Sequence, residues 1–147
     1  MIGFDGNYHS QSDDHILMER LFYMLAKKWV AGYDIESALS DAKSCNFKGQ
    51  EAILNYLGEN YTDEEKINQT IKEYSELLER LYLNEITGCI SVKPSQLGLS
   101  ISYDLCLKNF KALTTIAKRF GKFLWIDMES TKYTNDTLEI YLALINY

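Results

Sequence analysis

The chain of 147 residues has one proline, Pro94, and two histidines, His9 and His15. The two histidines stand off the i,i+4 spacing of a helix face and near no cysteine pair, so a histidine-built metal centre has no support. Cysteine is nearly as sparse. Cys45, Cys89 and Cys106 form no Cys-x-x-Cys pair and, being odd in number, cannot all pair within the chain; they read as small buried side chains. Positive charge is in deficit, with 15 Lys and Arg against 21 Asp and Glu, a net charge of -6 and a pI near 4.9. That balance argues against a nucleic-acid partner, because phosphate-backbone binders gather cations on one face to release counterions. The N-terminus shows no basic stretch leading into a long apolar run, and no segment approaches the roughly 18 apolar residues of a transmembrane span. A cytoplasmic chain is the expectation.

What remains is a globular composition. With 46% of residues hydrophobic and no low-complexity tract, one moderate core is within reach. Leu17, Leu21, Met24, Leu25 and Trp29 recur near a helical period and predict a helix over about 14–30, which Gly32 ends. A second helix is expected with Asp34 as N-cap and Glu36 in its first turn, burying Ile35, Ala38, Leu39 and Ala42 and finishing before Gly49.

Three strand-helix units follow. The first pairs a strand at 51–57 with a helix opened by a Thr62/Glu65 capping box and striped by Ile67, Ile71, Tyr74, Leu78 and Leu81. The second pairs the strand Cys89 to Lys93 with a helix at about 103–120, Leu105, Leu113, Ile116 and Phe120 facing inward, Lys118 and Arg119 suiting its C-terminus, and Gly121 as the stop. The third pairs 122–127 with a helix from near Thr134, in which Leu138, Tyr141, Leu142 and Ile145 recur. Strand alternating with helix implies parallel pairing through right-handed crossovers. The fold class is thus α/β, a partial (β/α)8 TIM barrel: N-terminal helices over 1–48, then about three parallel strand-helix units over 49–147, in a single incomplete domain. A closed barrel takes eight units and roughly 200 to 250 residues.

In such a sheet the carboxyl ends of the strands share one rim, so Glu59, Lys93 and Asp127 are expected to cluster there. Singly, each has a plainer reading: a solvated loop carboxylate, a strand-end lysine and a capping or ion-pairing aspartate. Jointly they weigh more, because Lys93 and Asp127 continue apolar strands with inward parity, where a charge is costly unless paired or used. Phe123 and Trp125 share that parity and read as interior packing, in an inner face expected to comprise Leu54, Tyr56, Ser91, Phe123 and Trp125. Glu129 shares it too, further out and with a solvated reading equally open.

Four segments then carry a family likeness: Trp-Val-Ala-Gly (29–32), Ile-Leu-Asn-Tyr-Leu-Gly-Glu (53–59), Ile-Ser-Val-Lys-Pro-Ser-Gln-Leu-Gly-Leu (90–99), and Ile-Asp-Met-Glu-Ser (126–130) with Tyr-Thr-Asn-Asp-Thr-Leu (133–138). In order and spacing this resembles the N-terminal half of monofunctional proline dehydrogenases. The resemblance implies FAD-dependent oxidation of L-proline to Δ1-pyrroline-5-carboxylate, with electrons passing to a membrane quinone and the protein at most peripheral to the inner face of the membrane. It also implies residue roles: Lys93 holds the substrate carboxylate, Asp127 orders the active site, and Glu59 closes a gate with an arginine of the last helix. Asn55, where many relatives carry aspartate, and Pro94, where many carry leucine, depart from the pattern. The family's two substrate-binding arginines and most flavin contacts belong to later elements, so retention of FAD by this chain alone is not expected. Activity would need a complementing C-terminal chain, and self-association is the other expected partnership. The alternative, from a different class, is a non-catalytic binding or regulatory module that keeps the site residues as relics.

Overall fold

Asp34 sets the start of the first helix: its carboxylate accepts the Ser37 N–H at 2.8 Å, and helix α1 (Ile35–Phe47) follows with Glu36 in its first turn. This is the first element in the computed structural model, which describes residues 34–145 and Tyr147; the helix expected at 14–30 lies outside the described residues. After α1 come β1 (Ala52–Leu54), α2 (Glu64–Leu83), β2 (Gly88–Val92), a single 3-10 turn (Pro94–Leu97), α3 (Tyr103–Arg119), β3 (Leu124–Ile126), a second 3-10 turn (Thr131–Tyr133) and α4 (Thr134–Ile145).

The three strands form one parallel sheet in the order β1-β2-β3. Helices cover one face of it, and Ile90, Val92, Tyr74, Leu78, Phe110 and Leu113 are fully enclosed between the two layers. The α2 stripe read from the sequence is the buried one, with Ile67, Tyr74, Leu78 and Leu81 at 1% exposure or less and Ile71 packed beside them. On α3 the inward residues are Cys106, Asn109, Phe110, Leu113 and Ala117, while Ile116 and Phe120 pack at the margin.

Each of α1, α2 and α3 hands the chain to the next strand through the same left-handed C-terminal turn. After α3, Gly121 takes φ +62° while its N–H and that of Lys122 return to Lys118 O (3.1 Å) and Ala117 O (2.9 Å). After α2 the same position is held by Glu85 at φ +54°, with Ile86 N–H on Leu81 O at 3.0 Å. A side chain there carries a steric cost that glycine avoids.

Four local expectations need correction. The first strand is three residues long rather than 51–57, because the Tyr56 N–H bonds the Tyr74 hydroxyl (3.1 Å). The parity of β1 is also the reverse of that read: Leu54 pairs in register with buried Ile90, so Leu54 and Tyr56 join the helix-side core, while Ile53 faces the open side at 61% exposure. The cap of α2 is Asp63, whose carboxylate accepts the Glu65 N–H at 2.9 Å, in place of a Thr62/Glu65 box. In α4 the buried residues are Thr137 and Ile140, leaving Leu138, Tyr141, Leu142 and Ile145 outside.

Candidate active site

The open face of the sheet carries Ile53, Phe123 and Trp125, the two aromatics edge to face at 4.8 Å between ring centroids. Above them, at the carboxyl ends of the strands, the polar side chains converge. Asp127 extends the ladder by one bond, its N–H on Val92 O at 3.0 Å, which turns its carboxylate over Ser91, and the Ser91 hydroxyl donates to Asp127 Oδ1. Lys93 is one residue past β2 and aims Nζ at Glu59 Oε2, 3.2 Å away. The lysine is 29% exposed and the glutamate 58%, so their attraction is softened by water and contributes well under ~1 kcal/mol to stability. An ion pair this weak is exchangeable: a stronger anion reaching Lys93 displaces Glu59 at little cost.

The structure thus brings Glu59, Lys93 and Asp127 to one rim, in the segments that follow β1, β2 and β3 in chain order. Lys93 and Glu59 touch; Asp127 bonds Ser91 instead of the lysine.

Three further residues were not picked out as functional from the sequence. Ser95, fully buried, ties all three loops together: its N–H (2.8 Å) and hydroxyl both donate to the Glu129 carboxylate, its Oγ accepts the Asn60 N–H (2.9 Å), and its carbonyl accepts the Tyr61 N–H (3.0 Å). Glu129 is therefore a bonded anchor, and the solvated reading does not hold. Gln96, also fully buried, donates to the carbonyls of Tyr56 (2.8 Å) and Gly58 (2.9 Å) and accepts from the Tyr74 hydroxyl (3.0 Å). Burial pushes the Tyr74 phenol well above its ordinary value, so it stays protonated and able to donate. The one sequence signal for this turn was its bracketing by Pro94, which ends strand pairing and starts a helical turn, and Gly98. Gly98 has φ +97°, and a Cβ there would meet the Leu105 side chain at 2.8 Å.

A parallel, helix-backed sheet with charged side chains gathered at its carboxyl rim is part of a (β/α)-barrel fold, and that rim is where such barrels carry their chemistry. A family model, Proline dehydrogenase, matches residues 38–146, and the chain belongs to that family. It is 33% identical over 116 residues to proline dehydrogenase 1 of Bacillus subtilis strain 168, a match that covers 79% of this chain and 38% of the relative. With the proline dehydrogenase of Deinococcus radiodurans the identity is 29% over 132 residues, covering 88% and 43%. The chain spans about two fifths of the length of these curated relatives. Its fold superposes with a TM-score of 0.81, at 21% identity, on proline utilization A from Bdellovibrio bacteriovorus inactivated by N-propargylglycine, covering 89% of this chain and 16% of that one.

Proposed function

We propose that this chain supplies the substrate-carboxylate side of a proline dehydrogenase active site. The observation that carries the reading is Lys93 beside Glu59, at the end of the strand whose Ser91 bonds Asp127, at the mouth of the sheet. A lysine ammonium is a compact point charge suited to a carboxylate. The carboxylate of L-proline replaces Glu59 as its partner, and Glu59, released, is free to pair with an arginine contributed by the rest of the barrel. Asp127, held by Ser91 and by its own N–H, presents a fixed negative charge beside that position and orders the cationic partners around the substrate.

The family's FAD accepts the hydride from proline when bound. The described residues fit the substrate end of such a site and not its diphosphate end. The two described arginines lie at helix C-termini on the opposite rim: Arg80, in the last turn of α2, is paired with Glu36 and Glu76, and Arg119 ends α3. Flavin phosphates therefore need elements beyond these three units, and L-proline oxidation to Δ1-pyrroline-5-carboxylate needs the part of the barrel that carries them. Among the described residues no helix is long and apolar enough to cross a membrane. A cytoplasmic protein, peripheral to the membrane when it delivers electrons to a quinone, accords with that.

Complementation tests the reading. A chain carrying the remaining strands is co-expressed, and flavin absorbance and L-proline oxidation are measured. Lys93→Ala in the active complex removes one charge-assisted hydrogen bond, roughly 1.5 to 3 kcal/mol, and weakens proline binding by about one to two decades. Asp127→Ala chiefly lowers turnover. Unchanged proline affinity in the lysine variant rejects the assignment, and a complex that never takes up flavin favours a non-catalytic relic.

A further inference from the structure

The sheet ladder ends at Leu54 on β1, yet Glu59 lies five positions further on and still meets Lys93 at 3.2 Å. Some other contact must set the path of the intervening chain. Residue 58 takes φ +137°, residue 60 takes φ +57°, and no strand pairing spans 55–59. The Tyr56 N–H is held by the Tyr74 hydroxyl and Leu57 O accepts from the Tyr61 hydroxyl at 3.5 Å, but the contact that grips this segment at two carbonyls is the buried amide of Gln96. Its two N–H groups donate to Tyr56 O and Gly58 O, and the second of these carbonyls belongs to the same peptide unit as the Glu59 N–H. Because a planar peptide turns as one body, holding that carbonyl sets the direction in which Glu59 leaves the chain.

The same side chain reaches Lys93. Gln96 Oε1 accepts from the Lys93 N–H at the long distance of 3.5 Å, and the Gln96 backbone N–H donates to Lys93 O at 3.0 Å. The orientation of the amide follows from its partners, since two carbonyl oxygens can only accept and the Tyr74 hydroxyl supplies a donor on the other side. A fully buried amide whose two N–H groups both bond carbonyls and whose oxygen faces the Tyr74 hydroxyl is held in one orientation.

We infer that Gln96 is a positioning residue: it holds the loop after β1 and the turn after β2 in the relation that lets Glu59 reach Lys93. The inference rests on the proposed function only for the meaning of that ion pair, not for its existence. Gln96 touches neither charged group's terminal atoms; it acts through the backbone that carries them.

The test uses the full chain without flavin or proline, so its outcome is separable from that of the complementation experiment. Lys93 acylation by an amine-reactive acetate ester is measured by peptide mass spectrometry against exposed Lys72 on α2 as the internal reference. In Gln96→Met the ratio of Lys93 to Lys72 labelling is expected to rise roughly two- to five-fold, the factor that loss of an exposed ion pair gives. A merely structural role is controlled by Leu113→Ala, a core truncation on α3 that lowers stability without touching either loop; its ratio should stay at the wild-type value. Should Gln96→Met not fold, Gln96→Glu keeps the acceptor and regains a donor only when protonated. Relative to wild type at the same pH, its ratio should lie nearest unity at low pH, where one of the two carbonyls regains a donor, and climb as the buried acid ionises. A wild-type ratio in folded Gln96→Met, or a pH-independent wild-type ratio in Gln96→Glu, overturns the assignment.

Discussion

Removing a single oxygen from Tyr74 is the sharpest probe of how the rim is held. The ring is fully buried, and its hydroxyl accepts the Tyr56 N–H at 3.1 Å while facing Ser91 O and Gln96 Oε1, each at 3.0 Å. A hydroxyl has one proton, so it donates to one of those two acceptors at a time. Tyr74→Phe keeps the ring, its packing and its edge-to-face contact with Tyr56 at 4.9 Å, so little cavity opens. What is lost is polar: the Tyr56 N–H, half-buried, has no acceptor, and one carbonyl loses a donor. An unsatisfied buried group costs about 1 to 3 kcal/mol, which sets the expected destabilisation near 2 kcal/mol. With a urea slope of about 1.5 kcal/mol per molar, the midpoint of unfolding followed by circular dichroism should fall by about 1 M with the slope unchanged. Tyr82→Phe, which removes a hydroxyl from a side chain 54% exposed, should stay within about 0.5 kcal/mol of wild type. A Tyr74→Phe midpoint no lower than that of Tyr82→Phe would refute the claim that this hydroxyl organises the end of β1.

Glu85→Gly should raise the thermal midpoint by about 2 to 4 °C in a calorimetric scan, since the φ of +54° at Glu85 suits glycine; a lower midpoint would mean the side chain makes a compensating contact. Burial pushes the Cys106 thiol, bonded to Pro94 O at 3.4 Å, up to about 12 from an ordinary 9.0, so iodoacetamide should modify Cys45 in the native chain and spare Cys106 until denaturant is added. The folded state holds that proton more tightly than the unfolded one. Its contribution to stability is therefore present below pH 9 and lost as pH rises from 9 toward 12, and Cys106→Ala should show a shallower alkaline decline in urea titrations. The open sheet face exposes Ile53, Phe123 and Trp125 at 50% or more, so the isolated chain should bind a hydrophobic dye or self-associate on size exclusion; a dye-silent monomer with sharp cooperative unfolding would count against an uncovered face.

Much of this arrangement is local and hence legible in the residues. Asp34 caps α1 because its short carboxylate reaches the Ser37 N–H, and Gly121 ends α3 because the turn needs positive φ; both depend on a handful of adjacent positions. The α2 stripe follows from a period of 3.6, and the strand-helix alternation implies the parallel order that brings Glu59, Lys93 and Asp127 to one rim. The tertiary structure decided the rest. Whether Leu54 and Tyr56 face helix or open side turns on pairing with Ile90 and on capture of the Tyr56 N–H by Tyr74, partners 36 and 18 residues away. Which side of α4 is buried was settled by docking through Tyr133, Thr137 and Ile140, because that helix is apolar on two faces and its period alone favours neither. Ser95 and Gln96 read as polar turn residues; their burial and bonds to 56, 58, 60, 61 and 129 exist only once three loops meet, since a hydrogen-bond partner distant in sequence leaves no local pattern.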